Sequence, residues 1–432
     1  MRIENLFLKR MYELPAEAET SGHRLSLKGG WIHQTAAGIY TYSSIGWKAI
    51  RNIESVVRGE LDAIGCQEIL MPVLSPISLW QETGRDKIDV LLKFKTHVGT
   101  EMTFNLSHEE VVVDYARTNI QSYRQLPFTL YQFQTKYRDE LRPRAGLLRG
   151  REFLMKDAYS FHADKADLDR TYGEIRAAYH RIYKKIGLTG VIDVEAPGGD
   201  MSDENSHEFQ WLSPVGEDSI YICDACGYRT NKETIVADKN GEDALECPKC
   251  GKPLRKARGV EVGNIFRLSD KYARPMKVFY NDENGEKKIP VMGCYGIGIS
   301  RTLGCLLEQG GTDAKAVFNL AVAPYKAHII SIGESAEVKE LAEKLYKSLE
   351  KAGIESIIDA TGDRAGSKFA NADLLGAPIR AIVSEKNLAA GTVEMKYSGI
   401  EGEPPAALKT DAAADMITDI AKGAGHEAHK TA

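Results

Sequence analysis

The 432-residue chain has no uninterrupted apolar stretch near the roughly 18 residues that a membrane span needs. Its beginning, MRIENLFLKRMYELPAE, scatters charges among the apolar residues and lacks the apolar core of a secretory signal. Basic residues are not in excess. With 56 Lys+Arg against 61 Asp+Glu the formal net charge is −5, so no global positive field draws the molecule onto nucleic acid or an anionic membrane. Any polyanion must be met by a local patch. Internal repeats are absent, and the only biased stretch is the Ala-rich tail TDAAADMITDIAKGAGHEAHKTA, which predicts a frayed helix. Cysteine is scarce and odd in number: seven residues, four of them in two C-x-x-C pairs. In a chain of this length without a signal, that favours reduced thiols or a metal over disulfides. Cys66, Cys294 and Cys305 are expected to be free thiols, and the whole pattern predicts a cytoplasmic protein with no membrane partner.

What is present is the balance of a folded protein: 43% apolar, 27% charged, 39 Gly and 15 Pro. At about 150 residues per domain, two or three domains are expected. Ile50, Ile53, Val57, Leu61 and Ile64 recur at three- and four-residue steps, which predicts a helix over 46–65, followed by a strand EILMPVL. Pro72 has no N–H for a ladder, so that strand should be an edge or meet another surface. Over 130–140, Tyr131, Phe133 and Tyr137 alternate with Gln132, Gln134, Lys136, Arg138 and Glu140, and Arg149 to Phe161 suits a returning antiparallel strand. Residues 136–156 hold seven Lys/Arg and three acidic residues, a local +4. Helices are expected over 165–187 and 335–352. Short apolar strands at 327–332, 354–358, 378–383 and 392–397 give an α/β pattern beyond a boundary near 310–324.

Arg138 and Glu140 lie two apart on the polar strand face, with Arg149 and Phe153 on the return. A guanidinium grips phosphate through a planar fork, and a ring stacks on a base, so this set suits a nucleotide. A solvated sheet face with ordinary ion pairs is the competing reading. In GCYGIGISRTLGCLLEQ, Gly296, Gly298 and Arg301 form G-x-G-x-x-R. The third glycine of a dinucleotide fingerprint is replaced, and no βαβ unit surrounds the run, which argues against a Rossmann site. Glycines still allow close approach of a ligand, and Arg301 in a first helical turn can face phosphate. Ser107-His108-Glu109-Glu110 reads either as substrate-binding groups or as an ordinary capped helix start. His207-Glu208 is equally ambiguous. Cys223-x-x-Cys226 and Cys247-x-x-Cys250, 20 residues apart with glycine after each second Cys, predict a zinc ribbon with a closed, structural site of four thiolates. The basic run Lys249 to Arg258 beside it is either an RNA-facing edge or a solvated face.

Taken together, IGCQEILMPVL, QTKYRDELRPRAGLLRGREFLMKDAYSF and MGCYGIGISR resemble motifs 1, 2 and 3 of class II aminoacyl-tRNA synthetases. NLSHEE, NSHEFQ, CDACGYRTNKE, RGVEVGNIF and SKFANADLLGAPIRAIV add detail that is similar to the bacterial prolyl-tRNA synthetase family, from near residue 1 to about residue 400. The resemblance implies an α+β protein. A catalytic domain with an antiparallel sheet would occupy 1–220 and 259–320, interrupted by the ribbon over 221–258. An α/β anticodon-binding domain with the tail would follow over 325–432.

It also implies a homodimer with Pro72 near the twofold axis, tRNA(Pro), L-proline, ATP and Mg²⁺ as partners, and proline–tRNA ligase chemistry. Arg138, Glu140 and Arg301 would carry the catalysis. Arg138 would hold the ATP α-phosphate, Glu140 the adenine or metal side, Phe153 the adenine face, and Arg149 and Arg301 the γ-phosphate, with Gly296 and Gly298 beside them. Ser107 and Glu109 would bind the prolyl substrate, with Asp157, Tyr159, His207 and Cys294 in the pocket.

The sequence departs from the family at Ser107, where Thr is usual, at Asn264, where His is usual, at DMSDEN before the SHEF and in loop 359–366. Only about 130 residues separate Phe161 from Cys294, too few for an editing insertion. That implies alanine activation without hydrolysis in cis, and correction by a trans-acting editing factor. Two other readings compete: a synthetase-like paralogue that activates or regulates without charging tRNA, and a noncatalytic zinc-ribbon RNA-binding protein.

Overall fold

A computed structural model describes residues 1–8, 10–11, 13–235, 245–398 and 406–423. The end of the Ala-rich tail, 424–432, lies outside the described residues. Backbone contacts divide the chain into two units: Thr35–Ile39 with Glu54–Cys305, and Met1–Gln34 with Tyr40–Ile53 and Leu306–Ala432. Among the described residues no helix is long and apolar enough to cross a membrane.

The first unit is built on a nine-stranded, mostly antiparallel sheet. In chain order its strands are β1 (Gln67–Glu68), β2 (Phe128–Tyr137), β3 (Glu152–His162), β4 (Val191–Ala196), β5 (Ser206–Leu212), β6 (Asp218–Ile222), β7 (Arg229–Asn231), β8 (Arg255–Ser269) and β9 (Val291–Gly298). They lie in the order β5-β4-β7-β6-β8-β9-β3-β2-β1, with β5 also pairing β8. The expected strand over EILMPVL breaks in two, ending β1, an edge strand, at Glu68 and opening a separate short strand at Leu74, and Pro72 lies between them. There its carbonyl accepts from Asn105 Nδ2 and faces His108 Nε2, each at 2.9 Å.

Four helices belong to the story of the site: α1 (Ile77–Thr83), α2 (Glu109–Asn119), α3 (Lys165–Ile186) and α4 (Ile299–Gln309). Helix α3 starts where Asp164 accepts from the Asp167 amide and stops at Gly187, whose φ of 83° is left-handed. Between these caps Leu168, Tyr172, Ile175, Tyr179, Ile182 and Ile186 recur at helical spacing and are all buried. Each large side chain so buried contributes about 1.5–3 kcal/mol, so one face of the sheet is firmly covered. Tyr179 and Tyr183 of α3 meet Phe209 of β5 with ring centroids 5.0 and 5.9 Å apart. On the opposite face Leu130, Phe161 and Met292 pack with Val112 and Ala116 of α2 at one end, and polar side chains take the remainder.

The second unit contains β10 (Ala327–Ile332), α5 (Ala336–Lys351), β11 (Ser356–Asp359), α6 (Ala365–Leu375), β12 (Ile379–Ser384), β13 (Thr392–Tyr397), β14 (Ala406–Lys409) and α7 (Ala413–Ala421). The sheet order is β11-β10-β12-β13-β14, parallel in its first three strands. Val338, Leu345 and Leu349 of α5 pack on Ile329, Ala381 and Val393, with Leu341 partly buried beside them.

Candidate active site

Strand alternation and register place the polar groups on the face away from α3. A row runs across five strands through Glu208, Asn264, Gly296, Asp157 and Gln132, each paired with the next. The polar face of β2 is not solvated as ordinary ion pairs would be: Gln132 and Lys136 are fully buried. Lys136 Nζ meets Asp157 Oδ1 at 2.8 Å and also touches His108 Nδ1. Asp157 Oδ2 accepts from Gln132 at 3.0 Å and from the Tyr159 hydroxyl at 2.8 Å. Burial works to raise the Asp157 carboxyl, but the Lys136 ammonium opposes it, and the carboxyl is held below its ordinary value. Burial, aided by Lys136, lowers the His108 imidazole to about 4, so it is neutral at pH 7.

At one end of this face Arg138, Glu140, Arg149, Phe153, Gly296, Gly298 and Arg301 line one cleft with Glu261 and Asn264. The Arg138 guanidinium lies 5.1 Å from the Phe153 ring centroid, and its Nε is buried with no hydrogen-bond partner among the described residues. Burial and the like charge of Arg301 lower its pKa, the electrostatic signature of a place that accepts an anion. Arg301 is fixed by Leu148 O at 2.8 Å and Glu261 O at 2.6 Å. Arg149 is held by Glu140, at 2.8 and 3.1 Å, and by Glu217 at 2.9 Å. The absence of a side chain at Gly296 keeps the cleft open, because a Cβ there would stand 2.8 Å from Asn264 Oδ1.

A second cluster surrounds the start of α2. The capped-start reading fails there: the N-cap position is His108, without a side-chain cap bond. Ser107 Oγ accepts from Arg85 at 3.3 Å, and Glu109 and Glu110 are buried. Glu109 Oε1 accepts from the Cys294 thiol at 3.1 Å, and the Tyr159 hydroxyl accepts from the His108 amide at 3.0 Å. Ser107, Glu109 and Cys294, linked through Arg85, form one hydrogen-bonded group, and Asp157 with Tyr159 forms a second that reaches the same segment at the His108 amide.

His207 does not join them. It lies on the α3 face, 2.7 Å from the Tyr172 hydroxyl, so its placement in the pocket is corrected. Buried Phe209, two residues on, gave the signal in the sequence, since residues two apart share a strand face. Glu208 is the member of that pair on the polar face. Its Oε2 accepts from Gln210 and Asn231 at 2.9 Å each, and burial and Glu261 push its carboxyl up to about 7. Sequence reasoning also missed Arg85, which no strand or helix pattern marks.

Cys223, Cys226, Cys247 and Cys250 converge, with all four sulfurs within 4.8 Å of one another and no disulfide. Two matching knuckles create this: Gly227 N donates to Cys223 O at 2.9 Å, and Gly251 N to Cys247 O at 2.8 Å. Cys66, Cys294 and Cys305 are buried thiols. Of the neighbouring bases, Lys249 pairs with Glu195 and Arg255 with Asp224.

Residues 93–310 match the tRNA synthetase class II core domain (G, H, P, S and T), and residues 326–398 match an anticodon binding domain. The proline–tRNA ligase of Rhizorhabdus wittichii is 38% identical over 417 aligned positions, covering 92% of this chain and 95% of that protein. That of Geotalea daltonii is 33% identical over 543 positions, again covering 92% and 95%. The latter alignment is longer than this whole chain, so that relative carries sequence absent here. In structure the chain is similar to Giardia lamblia prolyl-tRNA synthetase in complex with prolyl-adenylate, with a TM-score of 0.75 at 16% identity, covering 94% of this chain and 81% of that one. The α+β architecture is therefore a class II synthetase core joined to an anticodon-binding domain, and the chain belongs to the proline–tRNA ligase family.

Proposed function

We propose that the protein is a cytoplasmic, ATP-dependent proline–tRNA ligase, and that the two polar clusters are its nucleotide and amino-acid sites. The observation that carries the reading is the buried, unpartnered edge of Arg138 beside Arg301 and Phe153. Two cations beside a ring, with the Glu261 carboxylate 3.6 Å from Arg301, suit a triphosphate nucleotide and its metal ion. The proline carboxylate attacks the α-phosphorus of Mg-ATP and the bond to pyrophosphate breaks, giving prolyl-adenylate. A terminal ribose hydroxyl of tRNA(Pro) then takes the prolyl group and AMP leaves. No covalent nucleophile is needed; the work is alignment of two anions and neutralisation of developing charge.

Arg138 takes the α-phosphate, Phe153 the adenine face, Glu140 the adenine or metal side, and Arg301 with Arg149 the γ-phosphate. Arg149 must first loosen its hold on Glu140 and Glu217. Gly296 and Gly298 keep the cleft clear. Glu109 receives the secondary ammonium of proline, Ser107 lines the pocket, and Asp157, Tyr159 and Cys294 hold its floor. Glu140 and Glu261 offer carboxylate oxygens to the Mg²⁺ carried by ATP.

The four cysteines suit Zn²⁺ in donor type, number and convergence, and the ion would lock the two knuckles as a structural staple. The domain division keeps its boundaries at 220, 258 and 325; a core match over 93–310 and an anticodon-binding match over 326–398 support the last of these. A homodimer is proposed with exposed Leu70, two residues from Pro72, at its interface. The sequence that the longer relative carries and this chain lacks supports the absence of cis editing, with correction by a trans-acting factor.

ATP–pyrophosphate exchange and tRNA charging across all twenty amino acids test the reading. Proline-dependent exchange and charging are expected, with kcat in Arg138→Ala falling about 10²- to 10³-fold. Unchanged exchange in Arg138→Ala sinks the site assignment, and exchange without charging favours the paralogue.

A further inference from the structure

Arg85 follows α1, whose last turn ends at Gly84 in the left-handed region at φ 74°. The chain folds back there, and the Arg85 amide bonds Trp80 O at 2.9 Å. This throws the guanidinium inward, between the Trp80 and Tyr272 rings at 5.1 and 5.3 Å from their centroids. Only 11% of its side chain is exposed. One terminal nitrogen forks onto both oxygens of Glu110 at 2.9 and 3.1 Å and touches Glu109 Oε2 at 3.5 Å. The other reaches Ser107 Oγ at 3.3 Å and Met201 Sδ at 3.5 Å. Met201 also accepts from the Tyr272 hydroxyl at 3.5 Å.

The division of labour is uneven. Glu110 takes the short contacts and a further bond from the Thr83 hydroxyl at 2.8 Å. Among the described residues the Glu109 carboxylate has the long contact to Arg85 and the Cys294 thiol. Two buried carboxylates share one guanidinium, and the one less fully engaged is the one that can accept a cation from outside.

We propose that Arg85 is a positioning residue for the amino-acid site: by fastening Glu110 and bracing Glu109 and Ser107, it aims the Glu109 carboxylate at the ammonium of proline. The inference rests on the reading of Glu109 as the ammonium-binding group. Arg85 itself touches no reacting atom. It acts by holding Glu109, so its loss should be felt in proline binding and not in nucleotide binding. Lysine keeps the charge without the planar fork and should recover part of the effect.

Pyrophosphate exchange separates the two KM values. Arg85→Gln is expected to raise KM for proline about 10- to 100-fold, the effect of losing a charge-assisted hydrogen bond, with KM for ATP changed less than about twofold. Arg85→Lys should fall between, and Glu109→Gln should raise KM for proline at least as much as Arg85→Gln. If Glu109→Gln raises it and both Arg85 variants leave it unchanged, or raise both KM values alike, the positioning role is overturned while the site reading stands. If Glu109→Gln leaves it unchanged, the site reading falls and the inference with it. Should Arg85→Gln fail to fold, Arg85→Lys decides: an unaltered KM for proline overturns the proposal.

Discussion

Lys136 and Asp157 meet at 2.8 Å inside the hairpin of β2 and β3, with their side chains 0% and 3% exposed. The pair ties the floor of the proposed amino-acid pocket to the sheet, because Asp157 also receives Gln132 and Tyr159, and Lys136 touches His108. Burial lowers the Lys136 pKa against the pull of Asp157.

Removing one partner leaves an uncompensated buried charge. Lys136→Met should cost about 3–5 kcal/mol in denaturant unfolding. Lys136→Met with Asp157→Leu should cost less than the sum of the two single changes. Additive costs would show that the two groups are not coupled.

Gly296 sits in the centre of the polar row. An Ala there crowds Asn264 Oδ1, at 2.8 Å, and meets Met155 Sδ in ordinary contact at 3.8 Å. Overpacking of about 1–2 kcal/mol should raise KM for ATP about tenfold and leave that for proline unchanged. Asn264→Ser in the same chain should restore most of the loss; no rescue would place the crowding elsewhere.

Acid should weaken the fold through His108. Its pKa is lowered from 6.5 to about 4 by burial and Lys136, so between these values the unfolded chain binds the extra proton. Stability is therefore complete above about pH 6.5 and falls as pH drops toward 4, by up to about 1.4 kcal/mol per pH unit from this group. Unfolding midpoints from pH 7 to 4 should show a shallower slope in His108→Gln. An equal slope would assign the acid sensitivity to other groups.

The cysteine cluster predicts one Zn²⁺ per chain by elemental analysis of the purified protein. Cys226→Ser should lower the metal content and the unfolding midpoint. It should also raise KM for ATP a few-fold, because β8 runs from the ribbon to Glu261 and Asn264 in the cleft. Full stability in a metal-free protein would remove the staple.

Alanine should be activated and attached to tRNA. A pocket separates substrates by about 1–3 kcal/mol per methylene, so preference for proline should be on the order of 10²- to 10⁴-fold. Alanyl-tRNA should persist with the purified protein; its prompt hydrolysis would reveal an editing site.

Much of this was legible in residue order. The alternation over β2, the spacing of apolar residues in α3 and α5, and the paired C-x-x-C turns each encode a local geometry that survives folding. The cleft residues were legible because Arg138, Glu140 and Phe153 stand on one hairpin. His207 was misplaced because its neighbours were read as a motif and not by strand parity, although Phe209 marks the buried face.

By itself the sequence settled the longer periodic elements and the family, since each depends on periodicity and on residues close in the chain. Only the tertiary structure decided that the polar face of β2 is buried, that His207 faces α3, and that Arg85 braces Glu109. The reason is physical: register across five strands and a backward turn at Gly84 bring together groups dozens to more than a hundred residues apart, and no local pattern records which of them will share a desolvated space.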